Sequence, residues 1–227
     1  MEIKPIAVFR SPFKSKFGVP RQSGLVEALL GRIVLLDDYA DAESLRGLAD
    51  FDYLWLIWGF SANRHQSASF QPTVRPPRLG GNERMGVFAT RSPYRPNSLG
   101  LSSVRIVGVE GTEIMVSGAD LMDGTPIYDI KPYLPYADAH PEARGGFTDH
   151  SCWQKLSVVF APEVTIPFSA SEVDALRETL ALDPRPHYHH DAARIYGLAF
   201  GHYDIRFRVN ETELTVVEIH PAAHHAT

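Results

Sequence analysis

Val104-Arg105-Ile106-Val107-Gly108-Val109-Glu110-Gly111-Thr112-Glu113-Ile114-Met115-Val116-Ser117-Gly118-Ala119 is the stretch on which the fold class turns. Val104–Val109 and Glu113–Ala119 are short runs rich in β-branched residues and bounded by turn formers, which predicts two strands. The same pattern recurs on the N-terminal side in Ile3–Phe9, Arg32–Leu36, Tyr53–Trp58 and Met85–Thr90. On the C-terminal side it recurs in Ile195–Phe200, Tyr203–Val209 and Glu213–His220, with Asn210-Glu211-Thr212 as the turn between the last two. Helix signals are few. Ala42–Leu48 reads as a brief helix, and Ser171–Leu182 as a clear one. The latter has a Val173, Leu176, Leu180 stripe, Ser169 or Ser171 as cap and Asp183-Pro184 as stop. Many short strands with little helix predict a mainly β chain, α+β overall, built on a barrel or a sandwich. The Gly-rich polar stretch Arg144–Ser151 predicts a boundary between a β domain over 1–145 and a small α+β domain over 150–227.

The 227 residues are 44% hydrophobic and 22% charged, enough to build a packed core and too apolar for a disordered chain. The longest apolar run, Leu54–Phe60, is too short to span a bilayer, so no membrane association is expected. Met1–Phe9 has no apolar signal core, and a cytoplasmic address is expected. One cysteine, Cys152, forbids an intrachain disulfide and a thiolate metal cluster. His187, His189, His190 and Asp191 match no metal-ligand spacing, His220, His224 and His225 lie at the terminus, and no metal is expected. Without G-x-G-x-x-G, a Walker loop or G-x-S-x-G, dinucleotide dehydrogenases, NTPases and α/β-hydrolases lose their main support.

Charge is segregated. The net −5 divides into +4 over residues 1–26, −5 over 27–63, +6 over 64–105 and −10 over 106–227. Seven arginines (64, 75, 78, 84, 91, 95, 105) against Glu83 alone in the third segment predict a localised anion-binding face. Single arginines of this kind are ordinarily surface ion pairs; their density argues otherwise.

Two stretches carry candidate chemistry. Gly86–Ser102 delivers Arg91 and Arg95 from a turn stiffened by Pro93 and Pro96, either a recognition loop or simply a stiff strand connection. Long loops such as Gln71–Gly81 before it are commonly functional. Asp120–Tyr133, around the Asp123-Gly124 turn, offers carboxylates to grip a ligand or accept a proton, or merely reverses the chain. Tyr53, Trp55 and Trp58 read as core aromatics.

Together Arg10-Ser11-Pro12, Pro20-Arg21-Gln22, Pro72–Gly81, Gly86–Ser102, Asp123-Gly124-Thr125-Pro126 and Asp129–Pro135 resemble the tRNA-methyltransferase O (TsaA-like) family. The resemblance resumes at Asp183-Pro184-Arg185-Pro186, Tyr188 and Tyr203–Val209. It implies a β-barrel methyltransferase using S-adenosyl-L-methionine and working as a homodimer. Its implied substrate is the exocyclic amine of threonylcarbamoyl-adenosine next to the anticodon of a threonine tRNA. It further implies cofactor contacts at Pro20, Arg21, Gln22, Arg91, Leu99, Leu121, Asp123, Gly124 and Thr125, with either Ser61 or His65-Gln66 after the aromatic strand. The central loop reads Asn97-Ser98-Leu99 where the family pattern has Asn-Pro-Ile.

An amide-like nitrogen must lose its proton as it attacks a methyl group, so a nearby carboxylate or phenolate is required. Asp120, Asp123 and Tyr133 are the candidates. Arg75, Arg78, Arg95 and Arg185 are the expected phosphate contacts for an anticodon stem-loop. The alternatives are a barrel methyltransferase acting on a small molecule or protein, and a non-enzymatic S-adenosylmethionine sensor.

Overall fold

A computed structural model describes residues 2–62, 70–76, 83–150, 154–185 and 191–222. Arg78, His65-Gln66, Cys152, Tyr188 and the histidines at 187, 189, 190, 224 and 225 lie outside the described residues.

Six antiparallel strands close a barrel in the order β1-β2-β7-β6-β3-β8: β1 Ala7–Arg10, β2 Leu30–Leu35, β3 Tyr53–Gly59, β6 Leu99–Glu110, β7 Glu113–Ser117 and β8 Pro126–Pro132. A two-stranded ribbon, β4 Thr73–Val74 with β5 Met85–Gly86, stands between β3 and β6 in the chain. Alternation sends Leu54, Leu56 and Trp58 of β3 inward to meet Ala7, Phe9, Ile33, Ile114, Val116 and Ile127 in one buried cluster. Bulges at Ile57/Trp58 and Ile106/Gly108 add the local twist that closure of so small a barrel needs.

The second unit is a four-stranded sheet in the order β10-β11-β12-β9: β9 Ser157–Phe160, β10 Tyr196–Phe200, β11 Tyr203–Asn210 and β12 Glu213–Pro221. β9 runs parallel to β12, the other pairs antiparallel. Between α1, the single turn Pro135–Asp138, and this sheet lies a 3-10 segment, Gly146–His150. The main helix α2, Ala170–Ala181, packs Ala175, Leu176 and Leu180 onto the sheet. Ser169 is its cap: its hydroxyl accepts from the Glu172 N–H while Glu172 accepts from the Ser169 N–H, a reciprocal capping box. The Ser169 hydroxyl, then its N–H, hold the Glu172 carboxyl below its ordinary range.

Local reading differs from the structure where pairing overrides composition. The Pro126–Pro132 segment, with prolines at both ends and Asp129 and Lys131 inside, gives a weak strand signal by itself, yet it becomes β8 by pairing with both β1 and β3. The strand over Met85–Thr90 stops at Gly86, and Val87–Ala89 turns as 3-10. The brief helix over Ala42–Leu48 is two 3-10 turns parted by Gly47 at φ +82°.

Residues 11–29 join the two units. The chain leaves the barrel after Arg10, inserts Phe13 into the core of the second sheet, and returns to β2 by way of Val26 and Leu29, which are buried in that same core. The Phe13 ring meets Phe200 edge-to-face at 5.7 Å. The Gly201 N–H donates to the Pro12 carbonyl and the Gly118 N–H to the Leu29 carbonyl, so each end of the excursion is pinned. Phe13→Ala is expected to cost about 3–5 kcal/mol through the cavity it leaves. Chemical denaturation checks this, with the loss appearing in the transition that unfolds the second sheet.

Candidate functional site

A cleft of about 1960 Å³ opens at one end of the barrel. Its floor is Trp58 and Asp120; its walls are the 20–22 turn, the 59–62 segment after β3, the β4–β5 ribbon, the 87–96 turn and the first residues of β6. Gly145, Gly146, Phe147 and Thr148 complete it, so the boundary segment read as a linker is part of the wall. The Gly145-Gly146 pair was its only local sign.

The floor carries a buried polar chain. Trp58 Nε1–H donates to Ser102 Oγ at 2.9 Å, and Ser102 Oγ–H donates to Asp120 Oδ1 at 2.5 Å. Ser102 is fully buried. A hydroxyl there must be hydrogen-bonded on both sides, and it is. Burial pushes the Asp120 carboxyl above the ordinary carboxylate range, opposed by the Ser102 hydroxyl, backbone N–H groups and the charge of Arg91. A carboxylate held this way takes a proton more readily than a solvated one.

Gly100 makes this geometry possible. A Cβ there would come within 2.3 Å of the Trp58 indole, so only glycine lets the ring lie flat across β6.

One wall is tied across the chain. Arg91 Nη1 donates to Gln22 Oε1 at 2.7 Å, and Gln22 Nε2 donates to the Arg21 carbonyl at 2.5 Å. The turn that presents Arg91 is self-bonded: Arg95 Nη1 donates to the Thr90 carbonyl at 2.9 Å, and the Ser98 N–H to the Arg95 carbonyl. Ser98 takes φ +46°, which a proline ring, locked near −65°, cannot adopt. The turn here is therefore shaped differently from one with the family's proline.

Pro20, Arg21, Gln22, Ser61, Arg75, Arg91, Arg95, Leu99, Asp120 and Thr125 all line the cleft. Leu121 is buried in the barrel core. Asp123 and Gly124 hold the crossing segment instead. The Asp123 carboxylate accepts from the Ser11 N–H at 3.2 Å and pairs with Lys14 Nζ at 2.6 Å, while the Gly124 N–H donates to the Phe9 carbonyl at 2.8 Å. Gly124 sits at φ +76°, as the turn requires. Tyr133 packs against Tyr53 and Trp55, with ring centroids 6.2 and 5.7 Å away, and does not reach the cleft. Arg185 is held by Asp183 through Nε–Oδ1 and Nη2–Oδ2 contacts of 2.8 Å each, also away from the cleft. Of the three candidate proton acceptors, only Asp120 faces the cleft. Sequence reasoning missed Ser102, whose position gives no motif, and treated Trp58 as core alone; its indole packs in the core and also floors the cleft. Among the described residues, no group of three or more His, Cys, Asp or Glu side chains is placed to hold a metal.

Residues 8–139 match the family model for the tRNA-methyltransferase O N-terminal domain, and residues 154–222 the model for the TrmO C-terminal domain. The tRNA (adenine(37)-N6)-methyltransferase of Escherichia coli is 38% identical over 97% of this chain and 98% of its own. A Pseudomonas aeruginosa protein, RcsF, provisionally described as an S-adenosylmethionine-dependent methyltransferase, is 39% identical over 93% of this chain and 94% of its own. A crystal structure of TrmO from Pseudomonas aeruginosa superposes with a TM-score of 0.79 at 31% identity, covering 97% of this chain and 98% of that one.

Gly100→Ala tests the floor directly. The clash with the indole is expected to cost about 1–3 kcal/mol, as overpacking does, and to alter Trp58 emission and near-UV dichroism. An unchanged tryptophan signal would mean that the ring is not held as described.

Proposed function

This chain belongs to the tRNA-methyltransferase O family, and from that premise we propose that it methylates the exocyclic amine of threonylcarbamoyl-adenosine beside the anticodon of a threonine tRNA. At the coarser level it is an S-adenosylmethionine-dependent tRNA (adenine) methyltransferase. The observation that carries the finer reading is a single cleft in which Pro20-Arg21-Gln22, Arg91 and Leu99 stand over Asp120 beneath a cationic rim.

The donor chemistry of the cleft fits S-adenosylmethionine. Arg91 would offer a guanidinium to its carboxylate, the Pro20–Gln22 turn and Ser61 would offer polar groups, and Leu99 with Trp58 would offer apolar surface for the adenine and the methylene groups. When bound, the group supplies an activated methyl on a sulfonium. Leu121, Asp123, Gly124 and Thr125 contribute as one turn: Thr125 reaches the cleft, Asp123 and Gly124 bond it to residues 9–14, and Leu121 anchors it in the barrel core. Asp120 receives the proton of the attacking nitrogen, with Ser102 orienting the carboxylate through the bond to Oδ1. Asp123 and Tyr133, held elsewhere, take no part in that transfer. Positioning supplies most of the remaining rate, since the displacement is in-line. Arg75 and Arg95 take phosphates of the stem-loop.

We assign a homodimer, supported by the family resemblance and by exposed Val107 and Met115 on neighbouring strands of the barrel wall. A cytoplasmic setting is proposed on the nature of the substrate; no helix among the described residues is long and apolar enough to cross a membrane. The two family-model spans support units of 1–145 and 150–227, with residues 11–29 inserted into the second.

The direct test is incubation with S-adenosylmethionine and a threonine-tRNA stem-loop carrying the modified adenosine. Nucleoside mass spectrometry should then show one added methyl on that residue and none on a stem-loop lacking the threonylcarbamoyl group.

Two variant sets follow from the site. Asp120→Asn should abolish turnover while leaving cofactor titration within a few-fold. Ser102→Ala and Arg91→Gln each remove an interaction that favours the charged carboxylate, so the acidic limb of the pH–rate profile should move to higher pH. A limb that stays put in both would exclude Asp120 as the acceptor. Arg91→Ala should also lower cofactor affinity. Arg75→Ala should leave cofactor affinity alone while flattening the salt dependence of tRNA binding by roughly one unit or less.

A further inference from the structure

Two phenylalanines in the cleft wall are left open to water. Phe88 is 71% exposed and Phe70 is 56% exposed. Their rings stack on each other with centroids 6.0 Å apart and planes at 25°. Both line the cleft that holds Asp120.

The pair is built rather than accidental. Phe70 lies just before β4 and Phe88 just after β5, and the ribbon register Thr73↔Gly86, Val74↔Met85 brings the two sides together. The Val87 N–H donates to the Pro72 carbonyl at 2.9 Å, and the Val87 side chain is buried beneath, anchoring the turn that carries Phe88. The turn that carries Phe88 is thus anchored before anything binds, with the Phe70 ring stacked on Phe88.

Three features point to the occupant. Among the described residues lining the cleft, Lys16, Arg21, Arg75, Arg91 and Arg95 face a single carboxylate, Asp120, which favours a polyanion. Aromatic faces beside cationic side chains are the means by which single-stranded nucleic acid is held without base-specific hydrogen bonds. The cleft, at about 1960 Å³, also exceeds what one small ligand fills, typically about 300–1,000 Å³, so the cofactor leaves room beside it. A second copy of this chain would bring the same cationic rim against itself.

We propose that Phe70 and Phe88 form a stacking platform for an unpaired RNA base flanking the methylated adenosine. The assignment rests on the tRNA reading above and adds the pair that orients the loop. With one neighbouring base stacked on Phe88, the adenosine is presented to Asp120 already splayed from the loop, and the cost of extruding it is lowered.

The test is titration of the modified anticodon stem-loop against the full chain, Phe70→Ala, Phe88→Ala and Phe88→Tyr. Both rings are exposed, so truncation should leave the fold intact, which thermal unfolding checks. Each alanine variant should bind the stem-loop roughly tenfold more weakly, as loss of one base–aromatic stack does. Phe88→Tyr should bind like the unaltered chain. The salt slope, S-adenosylmethionine affinity and sedimentation should not change, because no phosphate contact, cofactor contact or interface is lost. An abasic residue at one loop position beside the modified adenosine should weaken binding to the unaltered chain and add nothing to Phe88→Ala. Equal loss of cofactor affinity in Phe88→Ala would assign the rings to the cofactor instead. A changed sedimentation coefficient would assign them to an interface between copies, and undiminished stem-loop binding would overturn the platform while leaving the methyltransferase reading intact. If the unaltered chain itself failed to bind the stem-loop, both readings would fall.

Discussion

Burial of Phe13, Val26 and Leu29 in the second sheet's core is the constraint on which the rest depends. It forces the chain between β1 and β2 to leave the barrel and come back, and the Pro20-Arg21-Gln22 turn lies on that path. A loop of this length hung from a barrel alone would be mobile. Pinned by apolar side chains near both ends, it stands at a fixed place beside the barrel mouth, where Gln22 can accept from Arg91. The second unit therefore acts on the cleft without lining most of it. Its contribution is to hold one wall still.

The floor obeys a different economy. Trp58, Ser102 and Asp120 place three polar groups in a low-dielectric setting where an unmet group would be costly. They satisfy one another in sequence, indole to hydroxyl to carboxylate. The result is a carboxyl that burial raises, against the opposing pull of the Ser102 hydroxyl and the Arg91 charge. Gly100 is the steric condition for this chain, because any side chain there would occupy the space of the indole. Packing and proton chemistry are thus set by the same few atoms.

Electrostatics is likewise local. The chain as a whole carries −5, yet its cleft is strongly cationic among the described residues. The acidic excess lies mainly in residues 106–227, which make the second unit and part of the barrel. Such a division attracts a polyanion to one face and discourages indiscriminate binding elsewhere. The exposed Phe70 and Phe88 belong to the attracting face, where aromatic area costs solubility unless a ligand covers it.

What the sequence alone determined is whatever neighbours within a few residues decide. The strand-forming composition of Tyr53–Trp58 and of Glu113–Ala119, whose strand ends at Ser117, the stop at Asp183-Pro184 and the turn at Asn210-Glu211-Thr212 are local, and they stand in the structure. The charge segregation and the ordered family motifs were also legible, since neither needs a partner at a distance. Tertiary structure alone decided the rest. β8 forms by pairing with both β1 and β3, although its own proline-bounded composition gives only a weak strand signal. Ser102 and Asp120 meet across 18 residues and Gln22 and Arg91 across 69, distances over which no periodicity carries information. In one dimension nothing chooses among Asp120, Asp123 and Tyr133 as the proton acceptor. Barrel closure turns Asp120 into the cleft, binds Asp123 to Lys14 and packs Tyr133 among aromatics, because each side chain's direction follows from which strands its neighbours pair with.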